Sequence, residues 1–161
     1  MRATLALLSA VIPFAGGACA DNGGSTGDDT GSYNCAAETR DDDFVVGLEK
    51  QGNAGTLDFK LLTADPAPPA RNDNTWTVQI NSMAAGVVGN PVAGATMIVT
   101  PFMPDHQHGT PIEVKIEALA TAGQYKLSPV NMWMPGLWET TITATANGST
   151  DAAVYRFCIP N

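Results

Sequence analysis

The segment "WETTITATANGSTDAAVYRFCI", residues 138–159, carries the clearest fold signal in the chain. Trp138, Thr140 and Ile142 recur at every second position, as in a β-strand that buries one of its two faces. The dipeptide Asn147-Gly148 favours a tight turn between two antiparallel strands. We therefore predict a β-hairpin with strands at 138–146 and 153–159.

Short apolar alternations of the same kind recur from Phe44 onward, and segments rich in glycine, proline and asparagine separate them. They predict further strands at 44–49, 56–63, 75–81, 95–102, 112–118 and 124–128. Their expected inward faces are Leu57, Phe59 and Leu61; Trp76, Val78 and Ile80; and Ile112, Val114 and Ile116. Seven or eight short antiparallel strands predict an all-β, immunoglobulin-like β-sandwich. A closed β-barrel is the alternative.

The N-terminus is typical of an export signal. Arg2 is followed by an apolar run that ends at Ala15, and this run is shorter than the roughly 20 residues that a membrane-spanning helix needs. Residues 16–19 resemble a lipobox, so we predict a signal peptide at 1–18 and a lipid anchor on Cys19. Ordinary cleavage near Ala18 or Ala20, which would give a soluble exported protein, is the alternative.

Residues 19–43 consist mainly of glycine, serine, threonine and aspartate. Such a segment has too little apolar surface to fold, so we predict a flexible tether before a domain at 44–161. The aspartates could instead bind calcium, but their spacing does not resemble an EF-hand loop. The expected product is a lipoprotein that faces the periplasm or the cell surface.

Three cysteines occur in the chain, Cys19, Cys35 and Cys158. If Cys19 carries lipid, the other two are free to form a disulfide bond in an oxidising compartment. That bond would tie the start of the folded part to its last strand. The alternative is that Cys35 and Cys158 are buried thiols.

Composition and motifs exclude several classes of function. A formal net charge of −8 argues against nucleic-acid binding and against membrane contact other than through a lipid anchor. The chain has no G-x-S-x-G motif, and its two histidines share one loop. Paired carboxylates from distant strands could still meet, but we expect a non-enzymatic, monomeric domain.

The stretch "PFMPDHQHGTP", residues 101–111, contains both histidines, His106 and His108. In extended backbone, residues two positions apart project from the same side and can reach one ion. Met103 lies in the same stretch. Met132 and Met134 lie at the entry to the predicted seventh strand, in a loop that could face the histidines at the same end of a sandwich. Imidazole with thioether is a ligand set for copper, above all Cu(I). The methionines could instead fill the core, and the histidines could be a solvated turn.

The tryptophans are open to two interpretations. We expect Trp76 and Trp138 to lie in the core. Trp133 could lie in the core as well, or it could offer a flat platform to a glycan.

Three short motifs, "MPDHQHG" (103–109), "GQY" (123–125) and "MPGLW" (134–138), together resemble the YtkA-like domain family, which is similar to FixH/CopC-type sandwiches. The resemblance implies an immunoglobulin-like domain outside the cytoplasm that takes part in copper handling or respiratory-oxidase assembly. Its partner would be a metal acceptor or another envelope protein. Met103, His106 and His108 match the histidine motif, and the structural matches are Gly123, Tyr125, Gly136 and Trp138.

CopC-type copper sites often use a histidine at the mature N-terminus, and this chain has none there. A Met/His site for Cu(I) is therefore the better expectation. The alternative function is a structural or protein-interaction module of the cell envelope that binds no metal.

Overall fold

The computed structural model describes residues 33–161, in which the regular structure is almost entirely β-strand. A 3-10 turn at Cys35–Ala37 precedes the strands. Among the residues described, no helix has the length and apolar character needed to span a bilayer. The predicted signal peptide, Cys19 and residues 19–32 of the predicted tether lie outside the described residues.

The ten strands are β1 (Leu48–Gln51), β2 (Leu57–Asp65), β3 (Asn72–Ala84), β4 (Val87–Pro91), β5 (Thr96–Met103), β6 (His108–Gly109), β7 (Lys115–Ala118), β8 (Gln124–Met132), β9 (Gly136–Ala146) and β10 (Ser149–Ile159).

The strands form two sheets, and every pair of neighbours is antiparallel. The larger sheet has the order β1-β2-β3-β8-β7, with β4 attached to β3, and the smaller has the order β10-β9-β5-β6. Buried residues of both sheets belong to one hydrophobic cluster. The fold is therefore the predicted β-sandwich, and the closed barrel is wrong.

The prediction of seven or eight strands missed β4 and β6. Strand β4 lies in a region whose glycines predicted a turn and not a strand. All five of its residues are exposed, so its sequence shows no alternation of buried and exposed positions. Strand β6 consists only of His108 and Gly109. Neither strand buries one face, which is the property that makes a strand visible in a sequence.

Most of the predicted inward faces are confirmed. The alternating residues of β2, β3 and β9 are buried, including Trp76 and Trp138, each fully buried. Ile112 was predicted to point inward with Val114 and is instead 41% exposed. The reason is local: the Ile112 amide donates to the Thr110 hydroxyl, and the strand begins only at Lys115.

The predicted disulfide bond is confirmed, since Cys35 and Cys158 are bonded with their Cα atoms 5.5 Å apart. Asp42 attaches the same N-terminal segment to β10: its amide donates to the Arg156 carbonyl (2.8 Å) and its carboxylate accepts from the Arg156 amide (2.7 Å). Residues 33–43, assigned to the tether from the sequence, are thus held against the sandwich by covalent and hydrogen bonds.

Asp151 joins the start of β10 to the turn between β1 and β2. Its buried carboxylate accepts the backbone amides of Ala54 (2.7 Å), Thr56 (2.8 Å) and Leu57 (3.0 Å). Burial alone would raise the pKa of this carboxyl, but these amides and that of Ala152 outweigh it and lower the pKa. Gly52 leaves the space that the carboxylate occupies.

Candidate metal site in the histidine hairpin

Both histidines lie in a short hairpin formed by residues 103–109, here called the histidine hairpin. Met103, the last residue of β5, pairs with His108, and Phe102 pairs with Gly109. The four residues between them turn the chain, and Gln107 adopts a positive φ of 56°. The Gln107 side chain donates to the Pro104 carbonyl within this turn. The hairpin therefore presents His106 at its exposed tip and His108 at its base.

The two imidazole rings are neighbours, with centroids 5.7 Å apart and ring planes 56° apart. His106 is exposed and His108 is half-buried. The Nδ1 atom of His108 is 3.1 Å from the Gly109 carbonyl oxygen. An Nδ1–H that donates to this carbonyl leaves Nε2 as the unprotonated nitrogen, which is the arrangement found in metal-binding histidines.

Trp133 orients the second of these rings. Its indole stacks on His108 with centroids 5.5 Å apart and planes 25° apart, and it is 41% exposed. The segment of Met132 and Met134 therefore faces the histidine hairpin, as the sequence suggested, but it does so through its tryptophan. One face of this indole is covered by imidazole.

The three candidate methionines are buried. Met103 and Met132 are fully buried, Met134 is 8% exposed, and all three belong to the hydrophobic core. Met103 nevertheless lies directly opposite His108 in an antiparallel pair, so the two side chains share one face of the sheet. Among the described residues, packing in the core accounts for Met132 and Met134.

Each motif glycine permits a close approach. A Cβ at Gly109 would lie 2.8 Å from the Pro101 carbonyl oxygen, and one at Gly136 would lie 2.7 Å from the Met103 methyl carbon. Gly123, with φ of 74°, would meet the Ile80 carbonyl oxygen at 2.8 Å. These distances are shorter than normal van der Waals contacts, so a side chain would not fit without a shift. The fold therefore explains why these positions are glycine.

The motif aromatics also have structural partners. The Tyr125 hydroxyl donates to the Val92 carbonyl (2.9 Å) and accepts from the Ala95 amide (2.8 Å). The Trp138 indole donates to the Met134 carbonyl at 2.9 Å. The structural roles expected for Tyr125 and Trp138 fit these contacts. Packing and hydrogen bonds thus account for most of the motif residues, and they account least for His106.

A cluster of charged groups attaches the histidine hairpin to the N-terminal segment. Arg40 donates to both carboxylate oxygens of Asp105 (2.7 Å each) and to both of Glu38 (2.8 and 2.6 Å). The Tyr33 hydroxyl donates to Glu38 at 2.8 Å and lies 3.2 Å from Asp105. We call Tyr33, Glu38, Arg40 and Asp105 the clasp.

The clasp shifts the pKa of each of its members. The Arg40 guanidinium lowers the pKa of both carboxyls, Asp105 and Glu38, and they in turn raise the pKa of Arg40. Burial, followed by the hydrogen bond and charge of Glu38, raises the pKa of Tyr33 to about 12. The clasp therefore stays ionised at neutral pH, with Tyr33 protonated, and holds the residue before His106.

A conventional ligand cluster is not seen in this part of the chain. Within residues 33–161, no three side chains of histidine, cysteine, aspartate or glutamate come together in a group that could hold a metal ion. The structure brings two imidazole rings together, and Met103 pairs with one of these histidines in the backbone ladder while its side chain is buried in the core. That set is poor for zinc, and its softness suits copper.

Fold and motifs together define an immunoglobulin-like β-sandwich of the FixH/CopC type. A family model described as YtkA-like matches residues 51–143. This match spans more than half of the chain, which therefore belongs to the YtkA-like family. Comparisons with curated proteins and with solved structures found no match.

Sequence reasoning missed the clasp and left Trp133 undecided. Arg40 lies in a polar segment that the composition assigns to the tether, and the sequence gives Asp105 no signal beyond its place next to His106. The available signal was Cys35: a disulfide at that position requires the residues beside it to lie against the domain. Nothing in the sequence pairs Trp133 with His108.

Proposed function

We propose that this protein is an exported, lipid-anchored, non-catalytic copper-binding protein and that the histidine hairpin is its metal site. The observation that carries the proposal is the placement of two imidazole rings side by side at the end of the sandwich. Imidazole nitrogens bind first-row metals at about 2.0 Å, so two rings on one ion have centroids at most about 6 Å apart. The observed separation of 5.7 Å lies within that reach.

Met103 is the thioether that we assign to the site. All three methionines lie in the core, but only Met103 pairs with a histidine, His108, across the hairpin. Met132 pairs with Asn72 instead. A bound Cu(I) would be held by His106 and His108 with Met103 beneath them. Thioether and imidazole ligands remain available in an oxidising compartment, where thiols form disulfides.

The cellular setting is part of the proposal. Lipidation of Cys19 would place the domain at a membrane facing the periplasm or the cell surface. Family membership and the soft ligand set support a role in copper handling or respiratory-oxidase assembly. A metal-acceptor protein of the envelope would be the partner.

Competition of purified protein with a Cu(I) chelator tests the site. The double variant His106→Ala, His108→Ala should bind Cu(I) at least about 100-fold more weakly, which is about 2.8 kcal/mol of binding free energy. Met103→Leu, which conserves volume, should weaken binding by about 10-fold, or about 1.4 kcal/mol. The matched control is Met132→Leu, which alters a buried methionine outside the hairpin and should leave the affinity unchanged.

Parental affinity in the double histidine variant would refute the site, and an equal loss in Met103→Leu and Met132→Leu would remove Met103 from it. Intact mass of membrane-extracted protein tests the anchor independently. It should show an acylated Cys19 and no free thiol, whereas an unmodified chain that begins after Ala20 would contradict the anchor.

The second candidate function is a metal-free interaction module of the envelope. It is favoured by the lack of a three-residue His, Cys, Asp or Glu cluster in residues 33–161. Copper-independent recovery of the same partner by the parent and by the double histidine variant would support this function over the first.

A further inference from the structure

The N-terminal segment of residues 33–40, here called the strap, is attached to the sandwich at two points. The first is the Cys35–Cys158 disulfide bond. The second is Asp105 in the histidine hairpin. Within the described chain, the hydrogen bonds that leave the strap all end on the Asp105 carboxylate. The disulfide bond and the histidine hairpin are therefore connected through one short segment.

Tyr33 places the strap against Met103. A Cβ at Gly136 would lie 2.7 Å from the Met103 methyl carbon and 3.6 Å from two ring carbons of Tyr33. The Tyr33 ring and the Met103 methyl group thus lie against the same glycine. Met103 is fully buried, and Tyr33 is half-buried. The strap is therefore part of the packing around the thioether that we assign to the metal site.

The disulfide bond lies where a second thiol can reach it. Cys35 and Cys158 are each half-buried, and both line a surface cavity of about 490 Å³ together with Asp41, Pro68 and Pro160. A thiolate attacks a disulfide at one of its sulfur atoms, so access to the bond is a condition for its reduction. A disulfide that is sealed in the core would not meet this condition.

We propose that the Cys35–Cys158 bond is a redox-sensitive switch that controls the histidine hairpin through the strap. A dithiol protein of the envelope supplies the electrons. One of its thiolates attacks the sulfur of Cys35 or Cys158, which forms a mixed disulfide and releases the other cysteine. Its second thiol then attacks the mixed disulfide. The reductant leaves as a disulfide, and the chain gains two electrons and two protons as a pair of thiols.

In the reduced chain the strap is held by Asp105 and by the packing of the Tyr33 ring. Arg40 and Asp105 are partly exposed, and an exposed ion pair contributes little to stability. Asp42 stays attached to β10 through its two hydrogen bonds with Arg156. The strap therefore detaches as a flap that is hinged beside Asp42. Its Tyr33 ring leaves Met103, and Asp105 loses its partner.

The consequence for copper rests on the proposed function. In the oxidised chain the strap fixes Asp105, the residue before His106. Ligands that are held in place bind more tightly than mobile ones, because less entropy is lost on binding. The oxidised chain should therefore have the higher affinity for Cu(I), and reduction would favour transfer of the ion to an acceptor.

The first test follows methionine methyl groups by NMR in the metal-free full chain. Cys19→Ala leaves the disulfide pair as the only cysteines, and dithiothreitol is the reductant. Reduction should shift the Met103 methyl signal and remove its nuclear Overhauser effect to the Tyr33 ring. Met97, at the other end of β5, is the control and should not shift. An unchanged Met103 signal, or an equal change at Met97, would overturn the proposal.

The second test uses the reciprocity of coupled equilibria. If the disulfide holds the strap against Asp105, then Arg40 must also make the disulfide harder to reduce. Arg40→Gln should therefore raise the equilibrium constant for reduction by dithiothreitol about threefold. The matched control is Lys126→Gln, which removes the same charge from an exposed ion pair on the larger sheet and should leave that constant unchanged. Equal constants in the parent and in Arg40→Gln would overturn the proposal.

Competition with a Cu(I) chelator separates this inference from the metal site itself. The double variant Cys35→Ser, Cys158→Ser is used because free thiolates would bind Cu(I) themselves. It should bind Cu(I) about fivefold more weakly than the parent, and adding Arg40→Gln should weaken binding no further. Parental affinity in the double variant would overturn the control of the site by the disulfide. A parent that binds no Cu(I) would instead refute the metal site, while the two metal-free tests would still decide the redox switch.

Discussion

The two hairpins of the smaller sheet are built in opposite ways. The β9–β10 hairpin pairs eleven residues on each strand around Asn147-Gly148, whose φ angles of 51° and 78° suit a type I′ turn. The histidine hairpin pairs only two residues on each strand. The first therefore has a long backbone ladder of its own, whereas the second is positioned mainly by residues from elsewhere in the chain.

An aspartate anchors each hairpin, and the two aspartates differ in their burial and in the groups that bind them. Asp151 is 3% exposed and accepts backbone amides from the β1–β2 turn. Asp105 is exposed and is held by the Arg40 side chain. Buried backbone donors cannot be left unpaired without a large cost, whereas an exposed ion pair is worth little to stability. The first anchor thus stabilises the fold, and the second positions a loop.

Replacing Asp151 should have the largest effect. Asp151→Ala leaves the amides of Ala54, Thr56 and Leu57 without their acceptor. The bond to Leu57 is buried and the other two are part-buried, and an unpaired buried donor costs about 1–3 kcal/mol. We expect the free energy of unfolding to fall by about 4 kcal/mol. Urea denaturation at pH 7 measures this change.

Acid pH should weaken the same anchor. The pKa of Asp151 is lower in the folded chain than its ordinary value, so its contribution is complete above about pH 4 and is lost as the pH falls through the folded pKa. The difference in unfolding free energy between the parent and Asp151→Asn should therefore shrink between pH 6 and pH 3. A difference that stays constant over this range would show that the carboxylate charge is not what the amides bind.

A pair of glycine substitutions in the β9–β10 hairpin should next separate its turn from the end that contacts the histidine hairpin. Gly136 has a φ of 129°, and a Cβ there would lie 2.7 Å from the Met103 methyl carbon. Gly136→Ala combines a strained backbone with overpacking, and we expect a loss of about 3 kcal/mol. Gly148 has a φ of 78° but open space around it, so Gly148→Ala should cost only about 1 kcal/mol. Thermal denaturation compares them, and equal losses would mean that the Met103 contact contributes nothing.

The same contrast explains what the sequence could predict. Asn147-Gly148 and the alternation of Trp138, Thr140 and Ile142 are local signals, and the β9–β10 hairpin forms where they predict it. The inward faces of β2 and β3 follow from the same period of two. Strand β4 has no buried face, and β6 has two residues, so neither gives a periodic signal.

The candidate site could be predicted only in part, because its supports are distant in the chain. The rings of His106 and His108 lie side by side, as the sequence suggested. The predicted reason, extended backbone between them, is wrong, because residues 104–107 form a turn in which Gln107 has a positive φ. The burial of Met132 could not be predicted, because alternation in the sequence does not show whether a methionine near a turn packs in the core. Arg40 reaches Asp105 across 65 residues, and no local pattern encodes that pair.

Replacing Arg40 should change the free energy of unfolding least of all. It should nevertheless change the pKa of its partner Asp105 clearly. Arg40 and Asp105 are partly exposed, with side-chain exposures of 49% and 35%, so Arg40→Gln should lower the free energy of unfolding by less than about 1 kcal/mol. Because the guanidinium lowers the pKa of Asp105, its loss should return that pKa toward the ordinary range. NMR titration of the Asp105 carboxyl measures the shift directly.

Lys126→Gln is the matched control for this change. Lys126 forms an exposed ion pair with Glu117 on the larger sheet, so its loss alters the net charge equally without touching the clasp. The Asp105 titration should be the same in this variant as in the parent. If both variants moved the pKa of Asp105 alike, the overall charge of the protein would set that pKa. A shift confined to Arg40→Gln would instead mean that a residue from the N-terminal segment holds the histidine hairpin by direct contact.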